Sequence, residues 1–327
     1  MSGLIATSKA SEHPSLASIL LTGAARGRRE AQQDAVALRT PLPLPCRVLV
    51  APLGRGCGAT TLALQLTAII SRARGLPALL LSGSSGPRSA ADRVRGSRTW
   101  PPPGSGAAGT PRVPDPDDDP PGDPDTWPQG VPRVSTTAQA RELAGTGPDG
   151  LMSCLRLPPL NGTETATAQW TGARRALARF FDLVLTETDP LPLATLGAMA
   201  LVHDVVVLVC PARREDVERG RQRADGLRSG LAGTPCPAHV LHVVVATTAN
   251  PLVPPLAPGE HMIAFDRRLE GAATGRTTPP GLVGPRAARD MTHLAADVVA
   301  SCARRVTHRD PAVPAPGSRT TPYREAL

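Results

Sequence analysis

The sequence predicts an α/β protein built on a doubly wound, mostly parallel sheet, and three observations carry that prediction. Short apolar runs alternate along the chain with longer segments of helical periodicity. The run DVVVLVCP at 204–211 shows no alternation of apolar and polar residues, which is typical of a strand buried on both faces of a parallel sheet. Between 46 and 83, a strand, a glycine-rich loop, a helix and a second strand form one βαβ unit.

Each element follows from its own pattern. The helix predicted at 60–75 carries Leu62, Leu66 and Ile70 on one face and stops at Gly75. Further strands are expected at 46–52, 77–83, 151–158, 182–188 and 238–247, with a short edge-like piece at 263–269. Further helices are expected at 164–181, 193–202, 214–231 and 284–305.

Composition divides the chain into ordered and irregular parts. Residues 115–125 (DPDDDPPGDPD) contain only Asp, Pro and Gly, and such a segment cannot bury enough apolar surface to offset its ordering entropy. The predicted organisation is a flexible segment at 1–44, a first part of the α/β domain at 45–85, a disordered Pro/Asp-rich insertion at 86–133, the rest of the domain at 134–308 and a flexible tail at 309–327.

The charge balance allows several partners and disfavours others. The 327 residues carry a formal net charge of +8, and Lys9 is the only lysine, so the basic excess is almost all arginine. This charge permits contact with nucleic acid or an anionic surface, but a solvated Arg-rich surface is the simpler interpretation. Because only 2% of residues are aromatic, a base-stacking platform for single strands is disfavoured.

The N-terminal sequence and the spacing of the cysteines both favour the cytoplasm. The first residues lack the basic start and apolar stretch of a signal peptide, and no run approaches the ~18 apolar residues of a membrane span. The cysteines are widely scattered and none forms the CxxC pair of a metal site. They are Cys46, Cys57, Cys154, Cys210, Cys236 and Cys302. We therefore expect a cytoplasmic protein in a reducing environment with no transmembrane segment.

The stretch VLVAPLGRGCGATTLALQL at 48–66 carries the strongest functional signal. A strand runs into a glycine-rich loop that opens a helix, so backbone amides and the helix N-terminus can converge on one phosphate. Gly56, Gly58 and Thr60 are in the correct places. However, the lysine that normally precedes the Ser/Thr pair of such a loop is replaced by Ala59.

At this loop the chain resembles the MinD/ParA family of P-loop ATPases, over roughly 46–85 and 135–306. The family pattern K-G-G-x-G-K-[ST]-T falls on Gly54, Arg55, Gly56, Cys57, Gly58, Ala59, Thr60 and Thr61, which the resemblance implies as nucleotide-binding residues. Both family lysines are lost, at Gly54 and Ala59, so the Walker A loop is degenerate. A weaker likeness links 263–271 and the last helix to MinD-like proteins of actinobacterial type VII secretion loci.

The resemblance also implies acidic residues. The strand at 181–188 is similar to the family's Walker B strand, which makes Glu187 the catalytic candidate and, with Thr60, the candidate Mg²⁺ site. Ser82 and Ser84 stand where the family has aspartates after the second strand. The family's adenine-contacting asparagine is absent, since Ala246 and Thr247 occupy that place.

Other polar residues are interpreted as structural. Asp182 is expected to be a turn or capping residue, and His203 and Asp204 a structural pair at a helix–strand junction. His239 and His242 flank an apolar strand with nothing beside them in the sequence to suggest a metal site.

These observations favour a nucleotide-linked regulator or scaffold in positioning, partitioning or secretion, with little or no ATP hydrolysis. The implied cofactor is ATP with Mg²⁺, or none, because phosphoryl transfer depends on charge stabilisation that the lost lysines would supply. The resemblance implies a homodimer and a protein partner in a secretion or partition machinery. Two alternatives stay open: an active ATPase in which Arg55 replaces the lysines, and a basic DNA-associated protein that binds through the helix of 213–228.

Overall fold

The computed structural model describes residues 16–42, 45–85, 89–100, 131–147, 149–160, 164–270 and 283–309. Its strands are β1 (Cys46–Pro52), β2 (Ala78–Gly83), β3 (Arg98–Thr99), β4 (Met152–Arg156), β5 (Leu183–Thr188), β6 (Val205–Pro211), β7 (His239–Val245) and β8 (Glu260–Ile263). Its helices are α1 (Leu16–Leu38), α2 (Ala59–Arg74), α3 (Ala90–Arg93), α4 (Thr137–Ala144), α5 (Glu164–Leu177), α6 (Leu193–Leu201), α7 (Arg214–Leu231), α8 (Arg267–Glu270) and α9 (Pro285–Arg309).

The eight strands form a single parallel sheet in the order β3-β4-β2-β5-β1-β6-β7-β8. The first strand lies near the centre, with Leu49 beside Thr186 of β5 on one side and Val206 of β6 on the other. This arrangement confirms the predicted doubly wound α/β fold of the P-loop NTPase type. All parallel strands end at the same edge, so the loops after β1, β5 and β7 meet there.

Helices cover both faces of the sheet, which explains why the central strands are apolar throughout. On one face, Val48 and Leu80 pack against α2 and α9. On the other face, Leu49 packs against α6 and α7, and Leu79 against α4 and α5. Adjacent residues of a strand point to opposite faces, so each strand contributes to two cores. Among the described residues, none of the helices is both long and apolar enough to cross a bilayer.

Two segments are more regular than the sequence predicted. The flexible segment predicted at 1–44 contains the helix α1, Leu16–Leu38, which lies against α9, with Leu38 in the core. Residues 89–100, assigned from composition to the irregular insertion, form α3 and β3 and bury Trp100. Residues 86–88 and 101–130 of that insertion and 310–327 of the tail lie outside the described residues.

A disulfide joins Cys46 at the start of β1 to Cys302 in α9, with 5.8 Å between the two Cα atoms. Both residues are fully buried, and the scattered spacing of the cysteines did not predict this pairing. The other four cysteines, Cys57, Cys154, Cys210 and Cys236, are free thiols.

Arg74 links three elements at the edge of the sheet opposite the glycine loop. Its guanidinium forms an ion pair with Asp182, just before β5, and Nη1 donates to the carbonyls of Leu38 (3.1 Å) and Thr40 (2.6 Å). The Arg74 side chain is only 5% exposed and that of Asp182 15%. The ion pair between Asp182 and the buried Arg74 guanidinium therefore connects the end of α2 to the start of β5 and to the chain after α1.

Replacing Arg74 should be strongly destabilising. Arg74→Ala leaves the Asp182 carboxylate buried without its cation, and the expected loss in the free energy of unfolding is about 3–5 kcal/mol. Arg72→Ala is the matched control, because Arg72 forms an exposed pair with Asp149 and should cost less than about 1 kcal/mol. Urea denaturation of both variants measures the difference, and equal losses would contradict this role for Arg74.

Candidate functional site

The loop between β1 and α2 adopts the curvature that its glycines predict. Gly56 and Gly58 both have left-handed backbones, with φ of 75° and 85°. Gly58 immediately precedes α2, and a Cβ atom there would lie 3.1 Å from Cγ1 of Val245. Side chains are disfavoured at both positions because L-residues rarely adopt this conformation, and at Gly58 also because β7 approaches closely. The loop therefore presents backbone amides at the N-terminus of α2.

A cavity of about 580 Å³ opens above this loop at the carboxyl edge of the sheet. All eight residues that the family pattern marked line it: Gly54, Arg55, Gly56, Cys57, Gly58, Ala59, Thr60 and Thr61. The ends of β5, β7 and β8 complete its wall. Its position, at the carboxyl ends of parallel strands, is where ligands bind in open α/β sheets.

The two residues predicted to hold Mg²⁺ are in direct contact. Thr60 Oγ1 donates a hydrogen bond to Glu187 Oε1 at 2.6 Å. Ser82 and Ser84, which occupy the family's aspartate positions, donate to the other carboxylate oxygen at 3.0 and 2.9 Å. Because the Thr60 hydroxyl donates its hydrogen bond to Glu187, the lone pairs of its oxygen remain available to a cation in the cavity.

Glu187 is a buried carboxyl at the cavity wall. It is 1% exposed, and burial raises its pKa above the ordinary 4.5, while the hydrogen bonds from Thr60, Ser84 and Ser82 oppose that rise. Thr188, the next residue, has a buried hydroxyl oxygen with no hydrogen-bond partner among the described residues. Since buried polar groups are normally satisfied and Thr188 lines the cavity, this oxygen is available to a ligand or water there.

The positively charged side chains that line this cavity are arginines, whereas a P-loop uses a lysine. Ala59 is the first residue of α2 and is 6% exposed, so no positive side chain starts from the lysine position. Arg55 is exposed on the loop and, within the described residues, has no ion-pair partner. A second arginine, Arg93 of α3, donates from Nη1 to Thr61 Oγ1 at 3.0 Å. Sequence reasoning missed Arg93 because it lies in the segment whose composition predicted disorder.

The cavity has a polar end and an apolar end. Glu187, Asp189 and Ser85 lie on the β5 side, where Asp189 accepts hydrogen bonds from the backbone N–H of Ser85 at 2.9 Å and its Oγ at 2.5 Å. On the opposite side the lining is mainly apolar and includes Val245, Ala246, Ile263, Phe265, Leu269 and Met291. Ala246 and Thr247 lie here, at the position where the resemblance would place an adenine-contacting asparagine.

The junction residues His203 and Asp204 have structural partners, as expected. His203 bonds Met199 O at 2.6 Å and Thr186 Oγ1 at 3.1 Å, and burial lowers its pKa to about 3, so the ring is neutral. Asp204 accepts from the backbone N–H of Arg47 at 2.8 Å.

His242 takes part in an internal network that the sequence did not reveal. Its Nε2 lies 3.2 Å from Cys210 Sγ and its Nδ1 2.9 Å from Glu260 Oε1, and Arg221 pairs with Glu260 at 2.7 Å. Burial raises the pKa of the Cys210 thiol to about 12, so this buried sulfur is a poor nucleophile.

Three of the five arginines of α7 form ion pairs within the helix. Ion pairs join Arg214 to Glu218 (3.1 Å), Arg219 to Asp216 (3.2 Å) and Arg228 to Asp225 (2.8 Å). These i,i+3 and i,i+4 pairs are typical of a solvated helix face.

Comparisons with known proteins agree with the fold. No protein-family model matches the sequence, and no curated protein is significantly similar to it. The chain is similar in structure to a ParA family ATPase from Chlorobium tepidum TLS, with 12% identity, 76% of this chain and 98% of that chain covered, and a TM-score of 0.49. It is also similar to a putative plasmid partition protein from Borrelia burgdorferi B31 bound to AMPPNP, with 13% identity, 78% of this chain and 98% of that chain covered, and a TM-score of 0.47.

For the cell division ATPase MinD of Pyrococcus furiosus, the identity is 17%, the coverage 76% of this chain and 96% of that one, and the TM-score 0.45. Two of these proteins are described as ParA and MinD ATPases, the family that the glycine loop of this chain resembles in sequence. Values of this size say nothing of what the loop binds.

Glu187 should make stability depend on pH. Because its native pKa is raised, the native state binds a proton more readily than the unfolded chain, so stability is greatest below the ordinary carboxyl range and falls as pH rises through the native pKa. Glu187→Gln removes this term while keeping the size of the side chain. We expect the variant to gain stability relative to wild type as pH rises from 4 to 8, because only the wild type has to ionise a buried carboxyl over this range.

Urea denaturation across that pH range measures the gain. Glu142→Gln, which makes the same substitution at an exposed residue of α4, is the control. A pH-independent difference between wild type and Glu187→Gln would contradict the assignment.

Proposed function

We propose that this chain is a MinD/ParA-like nucleotide-binding regulator or scaffold that binds ATP with little or no hydrolysis. The observation that supports this most is the Thr60–Glu187 hydrogen bond at the foot of a glycine loop whose lysine position is Ala59. The loop keeps backbone amides for a phosphate and the Thr60 hydroxyl for a cation. It lacks the lysine that would neutralise the charge of the transferred phosphoryl group.

The residues present fit a nucleotide in one orientation. The amides of the loop at Gly56 and Gly58, with the N-terminus of α2, would hold a phosphate group. Thr60 would hold Mg²⁺ while its hydroxyl donates a hydrogen bond to Glu187. The unpartnered Thr188 hydroxyl also lines the cavity. A base would lie toward the apolar end near Ile263. Bound Mg²⁺ supplies charge neutralisation on the phosphate oxygens.

The loss of both lysines argues against rapid turnover. Catalysis of phosphoryl transfer is mostly positioning and charge stabilisation, and the loop offers no cation from position 54 or 59. The guanidinium of Arg55 starts elsewhere on the loop, and a planar fork is a poor replacement for the compact ammonium of lysine. Glu187, the catalytic candidate, is tied to three hydroxyls rather than free to act as a base.

The alternative of an active ATPase has one observation in its favour. Arg93 approaches the first turn of α2 through Thr61 at 3.0 Å, so the cavity holds a second arginine besides Arg55. The alternative of a DNA-associated protein is weakened by the ion pairs along α7, which use much of the charge that would contact phosphates.

The biological setting belongs to the same proposal. We place the chain in the cytoplasm, as a homodimer that reports its nucleotide state to a protein partner in a secretion or partition machinery. The Cys46–Cys302 disulfide is unusual for a reducing compartment, so thiol counting on freshly prepared protein is a useful check on that placement.

Calorimetry with ATP and Mg²⁺, together with a phosphate-release assay, tests the proposed function. Wild type should bind ATP in a Mg²⁺-dependent way and release no phosphate above background. Thr60→Ala should lose the Mg²⁺ dependence, because the cation loses its hydroxyl ligand. Brisk phosphate release that Arg55→Ala abolishes would establish the active-ATPase alternative, and undetectable binding by wild type would overturn the proposal.

Restoring the lysine should strengthen binding. In Ala59→Lys, an ammonium starts from the family's position at the beginning of α2, and a hydrogen bond from a charged donor contributes about 1.5–3 kcal/mol. ATP affinity should rise roughly tenfold or more. Ala59→Gln is the matched control, since it adds similar length without charge. Equal affinities of the two variants would show that charge at this position is not what the loop lacks.

A further inference from the structure

A second group of chemically active side chains lies away from the cavity, where the edge strand β8 meets α9. His261 is the second residue of β8, and His293 and Asp297 are four residues apart on α9. Four residues make about one helical turn, so the two α9 side chains share one face. One ligand atom from each of the three residues lies within 4.8 Å of the other two.

The contacts show how the three side chains are held. His261 Nε2 lies 3.2 Å from Asp297 Oδ2, and the two imidazole ring centroids are 5.7 Å apart. His261 is 8% exposed, whereas the side chains of His293 and Asp297 are 55% and 46% exposed. The group is thus anchored on one buried ring and open to solvent on the helix side, so an ion could enter it.

A fourth residue orients the outer histidine. Asp34 of α1 lies 2.9 Å from His293 Nδ1 and is itself 7% exposed. A carboxylate at Nδ1 fixes the ring and its tautomer and leaves Nε2 available. This arrangement, with a ligating histidine held by a carboxylate through its other nitrogen, is the usual support of a metal-binding histidine.

We propose that His261, His293 and Asp297 form a binding site for a divalent transition metal of the zinc class, with Asp34 as the supporting carboxylate. Two imidazoles and one carboxylate suit Zn²⁺ and its neighbours, whereas Mg²⁺ and Ca²⁺ prefer oxygen ligands alone. Zinc ligands lie ~2.0–2.2 Å from the ion, so the three side chains would close by small rotations from their present separation.

The site has a structural consequence. It joins an edge strand to the last helix, and Asp34 extends the connection to α1. Ile263 of β8 and Met291 of α9 line the apolar end of the cavity. A bound metal would therefore hold together the two elements that form that wall, independently of any nucleotide.

Cobalt titration tests the site. The full chain without added histidines, in a Cys236→Ser background that removes the partly exposed thiol, is freed of metal and titrated with Co²⁺ while its visible absorption is recorded. One equivalent should bind and give the bands of nitrogen- and oxygen-ligated cobalt, and Zn²⁺ should displace it. Zn²⁺ should also raise the melting temperature.

The variants separate the site from adventitious binding. His293→Ala and Asp297→Asn change partly exposed side chains, so folding should persist, and each should weaken Co²⁺ binding by at least tenfold. Asp34→Asn should weaken it ~10–100-fold through the supporting contact. Asp225→Asn, which changes an exposed aspartate of α7 away from the group, is the matched control for Asp297→Asn and should bind as wild type does. Absence of stoichiometric binding by wild type, or equal affinity in the His261→Ala/His293→Ala double variant, would overturn the proposal.

Discussion

A carboxylate that is almost completely removed from water is the constraint around which this site is arranged. Glu187 ends β5, between β2 and β1, and an unpartnered charge at that depth would be costly. Three hydroxyls meet it: Thr60 comes from the first turn of α2, and Ser82 and Ser84 come from the end of β2 and the residue after it. One acid thus fixes the relative positions of three elements, including the loop that opens α2.

The loop keeps its shape with little of the charge that a triphosphate requires. Curvature depends on Gly56 and Gly58, and neither needs a neighbouring cation to adopt its backbone. Neutralisation depends on side chains, and here the arginines Arg55 and Arg93 reach the cavity from the loop and from α3. The curvature of the loop therefore does not depend on the charge of the side chains around it.

The fold could be predicted from the sequence because a parallel sheet covered on both faces leaves an unambiguous apolar pattern, as in β6. The Thr60–Glu187 contact was also predictable, since both residues belong to local motifs. Arg93 was not, because Trp100 and the small residues around α3 are ordered by contacts that composition does not reveal. His261 and His293 could not be paired either, since they are brought together only when β8 packs against α9.

The covalent bond between Cys46 and Cys302 spans 256 residues and so encloses nearly the whole domain in one ring. A protease that cuts the backbone once anywhere inside this ring would not release a fragment. The two pieces would migrate as a single species on a gel run without reductant and would separate only after thiol treatment. After such a cut β1 and α9 would remain covalently joined, so the two pieces of the chain would stay together.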